Sequence, residues 1–216
     1  ACVRKGNRVM KTPLRYQMTE YDCGPTTMMN AISCLFDRED IPPEIARNIM
    51  LYCLDCYGEG GEPGKSGTSR MAMLFLSNWI CQFGRIGNLS IRTRYLSGSC
   101  VYIGPESRIN DALHRGGVVV LRLFYEVEHY VLLTGEKDGL IYMFDPYYED
   151  ENTYEEDDIL MVDDHPCEYN RLVPAKYFNC QGCSTYALGP KADREAVLLF
   201  NSETELTPEK TIEYFI

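Results

Sequence analysis

Apolar residues recur at helical spacing in the first half of the chain and in short continuous runs in the second half. In the stretch 23–36, Met28, Ile32 and Leu35 fall on one face, which predicts a helix packed against a core. Further helices are predicted over 42–57, 69–83 and 105–116, with Thr68 or Ser69 as the cap of the third and Gly116 at the end of the fourth. The third is apolar around most of its circumference, so it is expected to be well buried.

β-branched and aromatic runs, separated by short polar or glycine-containing turns, predict strands over 90–96, 117–126, 129–135, 140–147 and 196–203. Most of these strands follow the helices, so we expect one α+β domain with an antiparallel sheet. Its helical lobe would cover about 13–115, its β lobe about 116–216, and a cleft would lie between them. The acidic stretch 149–164 is expected to be a solvated loop.

A cysteine lies where a loop enters the first predicted helix. Asp22 is suited to cap this helix, and Pro25 falls in its first turn, where a missing N–H costs nothing. Cys23 would then be the first helical residue, where unpaired N–H groups and the helix dipole favour a thiolate nucleophile. Gln17, six residues upstream, could donate to an oxyanion together with the Cys23 backbone N–H. The alternative is that Cys23 is an ordinary packing cysteine.

A histidine and an aspartate bracket two of the predicted strands. If these strands form a hairpin through a loop over 135–139, Thr134 pairs with Leu140, and His129 then faces Asp145 on the same side of the sheet. A carboxylate in that position would hold the imidazole in one tautomer and stabilise its cation. The alternative for His129 is a structural histidine.

These residues carry a family resemblance. Gln17, Cys23-Gly24 and the apolar helix that follows resemble the N-terminal signature of C39 peptidases, within the papain-like cysteine peptidases. The stretch 128–135 resembles that family's histidine strand, and Phe144-Asp145-Pro146 resembles its third motif. The resemblance covers about 13–148 and implies a papain-like fold. By position, Cys23 would be the nucleophile, His129 the base, Asp145 its orienting group and Gln17 the oxyanion donor.

The expected function is therefore a cysteine peptidase that hydrolyses a peptide bond through an acyl-enzyme, without a cofactor or a metal. An acyltransferase with the same triad, a non-catalytic peptide-binding protein on the same fold and a zinc-stabilised scaffold remain alternatives. Family members fused to ABC exporters cut leader peptides after a Gly-Gly pair. This chain shows neither a membrane span nor a nucleotide-binding domain, and 149–216 has no recognised counterpart.

Charge and composition limit the classes of binding partner and the cellular location that we expect. The 216 residues carry a net charge of −11, which argues against nucleic acid and mildly favours a neutral or cationic peptide. No run is long and apolar enough to span a membrane, and the basic N-terminus has no apolar signal core. We therefore expect a cytoplasmic protein, although an Ala-Cys start also fits a cleaved lipoprotein signal. The sequence does not indicate an oligomeric state.

Ten cysteines and a glycine-rich loop offer further chemistry. The cysteines include two CxxC units, 53–56 and 180–183, the first within a predicted helix. They lie too far apart for a zinc ribbon, so free thiols in a reducing compartment are favoured over shared zinc or a disulfide. The loop 58–67 lacks the first glycine of a phosphate-binding loop, which excludes that assignment.

Overall fold

The computed structural model describes residues 2–3, 10–87 and 89–207. Within these residues four α-helices are present: α1 Cys23–Leu35, α2 Pro43–Tyr52, α3 Arg70–Arg85 and α4 Arg108–His114. Short 3-10 helices lie at Gly98–Cys100, Ala175–Tyr177 and Lys191–Asp193. The basic residues 4–9, which were considered as part of an export signal, and residues 208–216 of the expected β lobe lie outside the described residues.

Nine strands form two antiparallel sheets in the described part of the chain. They are β1 Cys2–Val3, β2 Met10–Lys11, β3 Ile91–Ser97, β4 Val118–Tyr125, β5 Val127–Lys137, β6 Leu140–Phe144, β7 Leu160–Met161, β8 Arg171–Pro174 and β9 Glu195–Asn201. β1 pairs with β2, and the other seven follow the order β3-β9-β4-β5-β6-β8-β7. The large sheet therefore draws β3 from the N-terminal half of the chain, because β9 returns to lie between β3 and β4.

The large sheet is covered on both faces. On one face, α1, α2 and α3 form a core that includes Met28, Ile49, Leu76 and Leu132. On the other face, α4 and the segment 175–188 form a second core that includes Ile109, Val131, Phe178 and Tyr186. Strands β4, β5, β6 and β9 alternate side chains between the two cores, which explains why their sequences are continuous apolar runs rather than alternating patterns.

Three helix predictions differ from the structure. Helix α2 ends at Tyr52, not near 57, because Cys53 is already extended (φ −77°, ψ 171°) and Leu54 then takes a left-handed conformation (φ 60°), so the first CxxC unit lies outside the helix. Helix α4 begins only after Ser107, whose hydroxyl accepts from the Asn110 N–H, and Pro105 lies outside it. Helix α3 is capped by Ser69 as predicted, but it is not buried all round: its Met71 side is exposed.

The cysteines are mostly free. Eight free thiols are present among the described residues, and they include Cys53, Cys56, Cys180 and Cys183 of the two CxxC units. Cys167, by contrast, is disulfide-bonded. Disulfides are rare in reducing compartments, so this bond does not favour the expected reducing location. In the described part of the chain, no helix has the length and apolar character needed to cross a membrane.

Candidate active site

Cys23 is the first residue of α1 and is 8 % exposed. The predicted cap is wrong, since the Asp22 side chain accepts no hydrogen bond from the first turn of backbone N–H groups. Asp22 adopts φ −96° and ψ 23° instead of the extended conformation of a capping residue. Its carboxylate accepts from the Met18 N–H at 3.0 Å and the Thr19 N–H at 2.6 Å, and therefore closes the loop that carries Gln17.

Two contacts hold the start of α1 in place. A Cβ built on Gly24 would lie 2.4 Å from Thr68 Oγ1, so only glycine allows the loop before α3 to approach this closely. On the other side, the Thr27 hydroxyl donates to the Tyr130 carbonyl at 3.0 Å, in a buried contact. Because Tyr130 follows His129, this bond ties the helix of the candidate nucleophile to the strand of the candidate base.

The predicted pairing of Thr134 with Leu140 is wrong. The strands turn through Asp138-Gly139, both at positive φ, so Leu140 lies opposite Lys137. The Asp-Gly pair is a strong signal for a two-residue hairpin turn that the sequence prediction did not use.

A bulge in β5 between Leu133 and Gly135 restores the alternation of faces near the site. Beyond the bulge, Phe144 lies opposite Leu132, two residues from its predicted partner Tyr130. An even offset keeps His129 and Asp145 on the same face, as diagonal rather than direct neighbours. Their side chains meet: His129 Nε2 lies 2.8 Å from Asp145 Oδ1.

His129 is enclosed and contacts both expected partners. Since a carboxylate only accepts, Nε2 donates to Asp145, and Nδ1 is the ring nitrogen that remains available to Cys23, whose proximity also acts on the pKa of the ring. Burial acts to lower the pKa of the imidazole, but the charge and hydrogen bond of Asp145 and the contact with Cys23 outweigh it. The pKa of His129 is raised to about 10. The ring is therefore cationic at neutral pH.

Asp145 is fully buried and has four hydrogen-bond donors. Besides His129, its side chain accepts from the Tyr147 N–H at 2.8 Å and from the Tyr186 hydroxyl at 3.0 Å. The Asn170 side chain holds its backbone, accepting from the Asp145 N–H at 2.7 Å and donating to the Asp145 carbonyl at 2.8 Å. Burial acts to raise the pKa of Asp145, but His129, the Tyr147 N–H and the Arg171 charge lower it overall.

Sequence reasoning missed the supporting residues Asn170, Arg171 and Tyr186. Asn170-Arg171 is a polar pair that precedes the short apolar run of β8, which is a weak signal. Tyr186 lies in a loop and has no local signal. All three come from the part of the chain for which the family resemblance offered no counterpart.

Gln17 lies close to Asp145 in the fold. Its backbone N–H donates to the carbonyl of Pro146, the residue after Asp145, at 2.8 Å. Its side-chain Nε2 donates to the Thr19 carbonyl at 2.8 Å, which uses one of the two amide protons. Its Oε1 is buried without a hydrogen-bond partner.

Among the described residues, no group of three or more His, Cys, Asp or Glu side chains is placed to hold a metal ion. The glycine-rich loop 58–67 ends against the start of α1, where Gly67 approaches the Tyr21 carbonyl and Thr68 contacts Gly24. It therefore borders Cys23.

No protein-family model and no curated protein matches the chain. The solved structures that are similar to it include two peptidase domains. One is the peptidase domain of Streptococcus ComA, described as a bifunctional ABC transporter involved in a quorum-sensing pathway, with 13 % identity and a TM-score of 0.45. It covers 87 % of this chain and 97 % of that domain. The other is the peptidase domain of Streptococcus mutans ComA, with 11 % identity, a TM-score of 0.37 and coverage of 87 % and 98 %.

Both of these structures are peptidase domains of ComA. Identities this low leave the chemistry of the site to be judged from its own geometry.

Proposed function

We propose that this chain is a cysteine peptidase of C39-like, papain-like type that cleaves a peptide bond through an acyl-enzyme. The observation that carries the proposal is the buried contact series Cys23–His129–Asp145, with Cys23 at the start of a helix and a 2.8 Å bond from His129 to Asp145. A thiol, an imidazole and a carboxylate in this order are the groups that nucleophilic acyl transfer needs.

In the proposed reaction, the Cys23 thiolate attacks the substrate carbonyl carbon while the His129 imidazolium remains beside it. The backbone N–H of Cys23 and the second amide proton of Gln17 donate to the oxyanion. His129 then protonates the leaving amine, and Asp145 keeps the ring oriented throughout. Water, which gives a proton to the now neutral imidazole, then hydrolyses the acyl-enzyme and restores the Cys23 thiolate and the His129 imidazolium.

The test is iodoacetamide labelling of each cysteine as a function of pH, located by mass spectrometry. The exposed thiols Cys180 and Cys183 are internal references. Burial raises the pKa of Cys34 and Cys53 to about 12, so these two should stay unlabelled. At pH 6 we expect Cys23 to react about tenfold faster than the exposed references, since the imidazolium stabilises its thiolate.

His129→Ala should abolish this advantage and leave the labelling of Cys180 unchanged. If Cys23 in the wild-type protein reacts more slowly at pH 6 than the exposed references, the peptidase proposal is wrong. If Cys23 instead reacts faster than the references, a peptide mixture is the next test. Peptides that the wild type cleaves and Cys23→Ala does not cleave are substrates. Mass analysis of the products in the presence of added amine separates hydrolysis from acyl transfer.

A further inference from the structure

Behind Asp145 runs a chain of hydrogen bonds that the proposed mechanism does not use. Arg171 Nε lies 2.6 Å from the Tyr154 hydroxyl, the Tyr154 hydroxyl contacts that of Tyr186, and the Tyr186 hydroxyl lies 3.0 Å from Asp145 Oδ2. We call Arg171, Tyr154 and Tyr186 the tyrosine chain. Arg171 is 2 % exposed, Tyr186 is fully buried and Tyr154 is half-buried, so the bond from Tyr186 to Asp145 is the one that is shielded from solvent.

The direction of every bond in the tyrosine chain is determined by its two ends. A guanidinium only donates and a carboxylate only accepts. Tyr154 therefore accepts from Arg171 and donates to Tyr186, which in turn donates to Asp145. Each hydroxyl has one proton, so no other arrangement satisfies all three bonds. Such aligned bonds polarise one another in a buried setting, so the chain connects the positive charge of Arg171 to the negative charge of Asp145.

The backbone at Tyr186 supports a specific role for its side chain. Tyr186 adopts φ 58°, a left-handed conformation that bulky residues rarely take. It is held there by its own N–H, which donates to the Phe124 carbonyl at 2.8 Å, and by the Tyr125 ring, stacked at 5.7 Å. An unfavourable backbone conformation that delivers a buried hydroxyl to the second oxygen of Asp145 is unusual for a residue that only fills space.

The charges around Asp145 are few and paired. His129 faces Asp145 from β5, and Arg171 faces it from β8. Glu149 balances Arg171 at 3.4 Å and also accepts from the Tyr125 hydroxyl. Tyr154 and Tyr186 are further titratable groups in contact with this cluster, and Cys23 adjoins His129. Because His129 and the Tyr147 N–H occupy Oδ1, the Tyr186 hydroxyl is the side-chain donor to Oδ2 in the described structure.

We propose that the tyrosine chain is a positioning device for the candidate triad: it holds the Asp145 carboxylate in the orientation that His129 requires. The role as part of a triad rests on the proposed peptidase function, whereas the positioning itself does not. The device uses residues from the loop after β6, from β8 and from the segment before β9, so the C-terminal part of the chain helps to build the site.

The test is proton NMR of the low-field signal expected for the His129 Nε2–H, followed on acidification in the wild type and in Tyr186→Phe. This substitution removes one hydroxyl and keeps the ring. Without that donor the charged form of Asp145 is less favoured, so its pKa rises. We call the pH at which half of this signal is lost the midpoint, and we expect it to lie about one unit higher in Tyr186→Phe than in the wild type.

Tyr154→Phe interrupts the tyrosine chain without touching Asp145, and a smaller shift in the same direction is expected. The matched control is Tyr95→Phe, which removes a tyrosine hydroxyl 2.6 Å from another buried carboxylate, Glu195, and should leave the midpoint unchanged. Circular dichroism verifies that each variant is folded, and Tyr154→Phe serves as the test if Tyr186→Phe is not.

A wild-type protein without the low-field signal, or a midpoint that is the same in both tyrosine-chain variants as in the wild type, overturns the inference. The readout needs no catalysis and no reactive thiol. A shifted midpoint together with a slowly alkylated Cys23 would therefore reject the peptidase proposal and keep the positioning role.

Discussion

At the residue scale, the unusual feature of the site is a buried imidazole that carries charge. Burial alone would favour the neutral ring of His129, but the Asp145 carboxylate at 2.8 Å reverses this and raises its pKa to about 10. In the proposed mechanism, this cation is the acid that a leaving amine needs, so the ring whose pKa Asp145 raises is also the proton donor.

Asp145→Asn tests this dependence. If the chain is a peptidase, the imidazolium is the form that protonates the leaving amine, so wild-type activity should be lost as the pH rises through about 10, where His129 loses its proton. With asparagine the carboxylate charge is gone and burial dominates, so His129 loses its proton at a much lower pH. We expect the alkaline limit of kcat/KM to move down and its maximum to fall by on the order of 10²- to 10⁴-fold.

The measurement is the pH profile of kcat/KM for a substrate found in the peptide mixture. Asp158→Asn is the control, since Asp158 is an exposed aspartate that pairs with Lys176 and Tyr177. Its profile should match that of the wild type. An unchanged alkaline limit in Asp145→Asn would contradict the assigned role of Asp145.

At the element scale, the site depends on how closely three segments approach one another at the start of α1. The loop before α3 meets Gly24, strand β5 accepts from Thr27, and the segment after β6 accepts from the Gln17 N–H. The bulge in β5 is equally important, since the register at the Asp138-Gly139 turn would otherwise put His129 and Asp145 on opposite faces.

Gly24→Ala tests the first of these contacts. The added methyl would lie 2.4 Å from Thr68 Oγ1 and 2.8 Å from Thr68 Cβ, so α1 or the loop must shift. We expect a loss of about 1–3 kcal/mol in the free energy of unfolding, measured by urea denaturation. Labelling of Cys23 at pH 6 should slow in parallel, because the shift separates Cys23 from His129.

Thr68→Gly added to Gly24→Ala removes both close atoms and should restore part of the lost stability. Gly182→Ala is the matched control, since nothing lies within 4 Å of its added methyl. If Gly24→Ala were as stable as the wild type, the close approach of the loop would not be a constraint on the site.

At the scale of the whole molecule, the net charge of −11 makes the surface potential predominantly negative. If the chain is a peptidase, its substrates approach through this field. Two peptides that share a cleaved sequence but carry lysine or glutamate in their flanks should differ in kcat/KM, with the cationic peptide favoured. The ratio of the two kcat/KM values should fall towards one as the salt concentration is raised from about 0.01 to 1 M, because salt screens the long-range attraction.

The comparison is made with wild-type protein and both peptides at each salt concentration. A preference for the cationic peptide that does not change with salt would point to a specific pocket instead of the overall field. A preference for the acidic peptide would contradict the prediction.

Much of the architecture followed from local pattern. Apolar periodicity predicted α1 nearly to the residue, and β-branched and aromatic runs predicted the strands that became β3, β4, β5, β6 and β9; of the two caps predicted for α3, Thr68 or Ser69, the structure uses Ser69. The misplaced ends of α2 and α4 share a cause: an extended Cys53 followed by a left-handed Leu54 ended α2, and a serine cap at Ser107 started α4, at points where apolar spacing alone continued the helix. Local turn and cap chemistry overrode periodicity at both ends.

By itself, the sequence determined which residue types could do chemistry and roughly where each would lie: Cys23 at a helix start, and His129 and Asp145 at strand ends. The sequence predicted that His129 and Asp145 meet, but it did so with the wrong register of β5 against β6. The predicted and observed registers differ by two residues at the site, and an even difference keeps both side chains on the same face. Only the tertiary structure decided how the site is supported. Asn170, Arg171 and Tyr186 reach Asp145 from distant parts of the chain, and Thr68 reaches Gly24 across a loop. Such contacts depend on the packing of separate segments, and no local pattern along the chain encodes them.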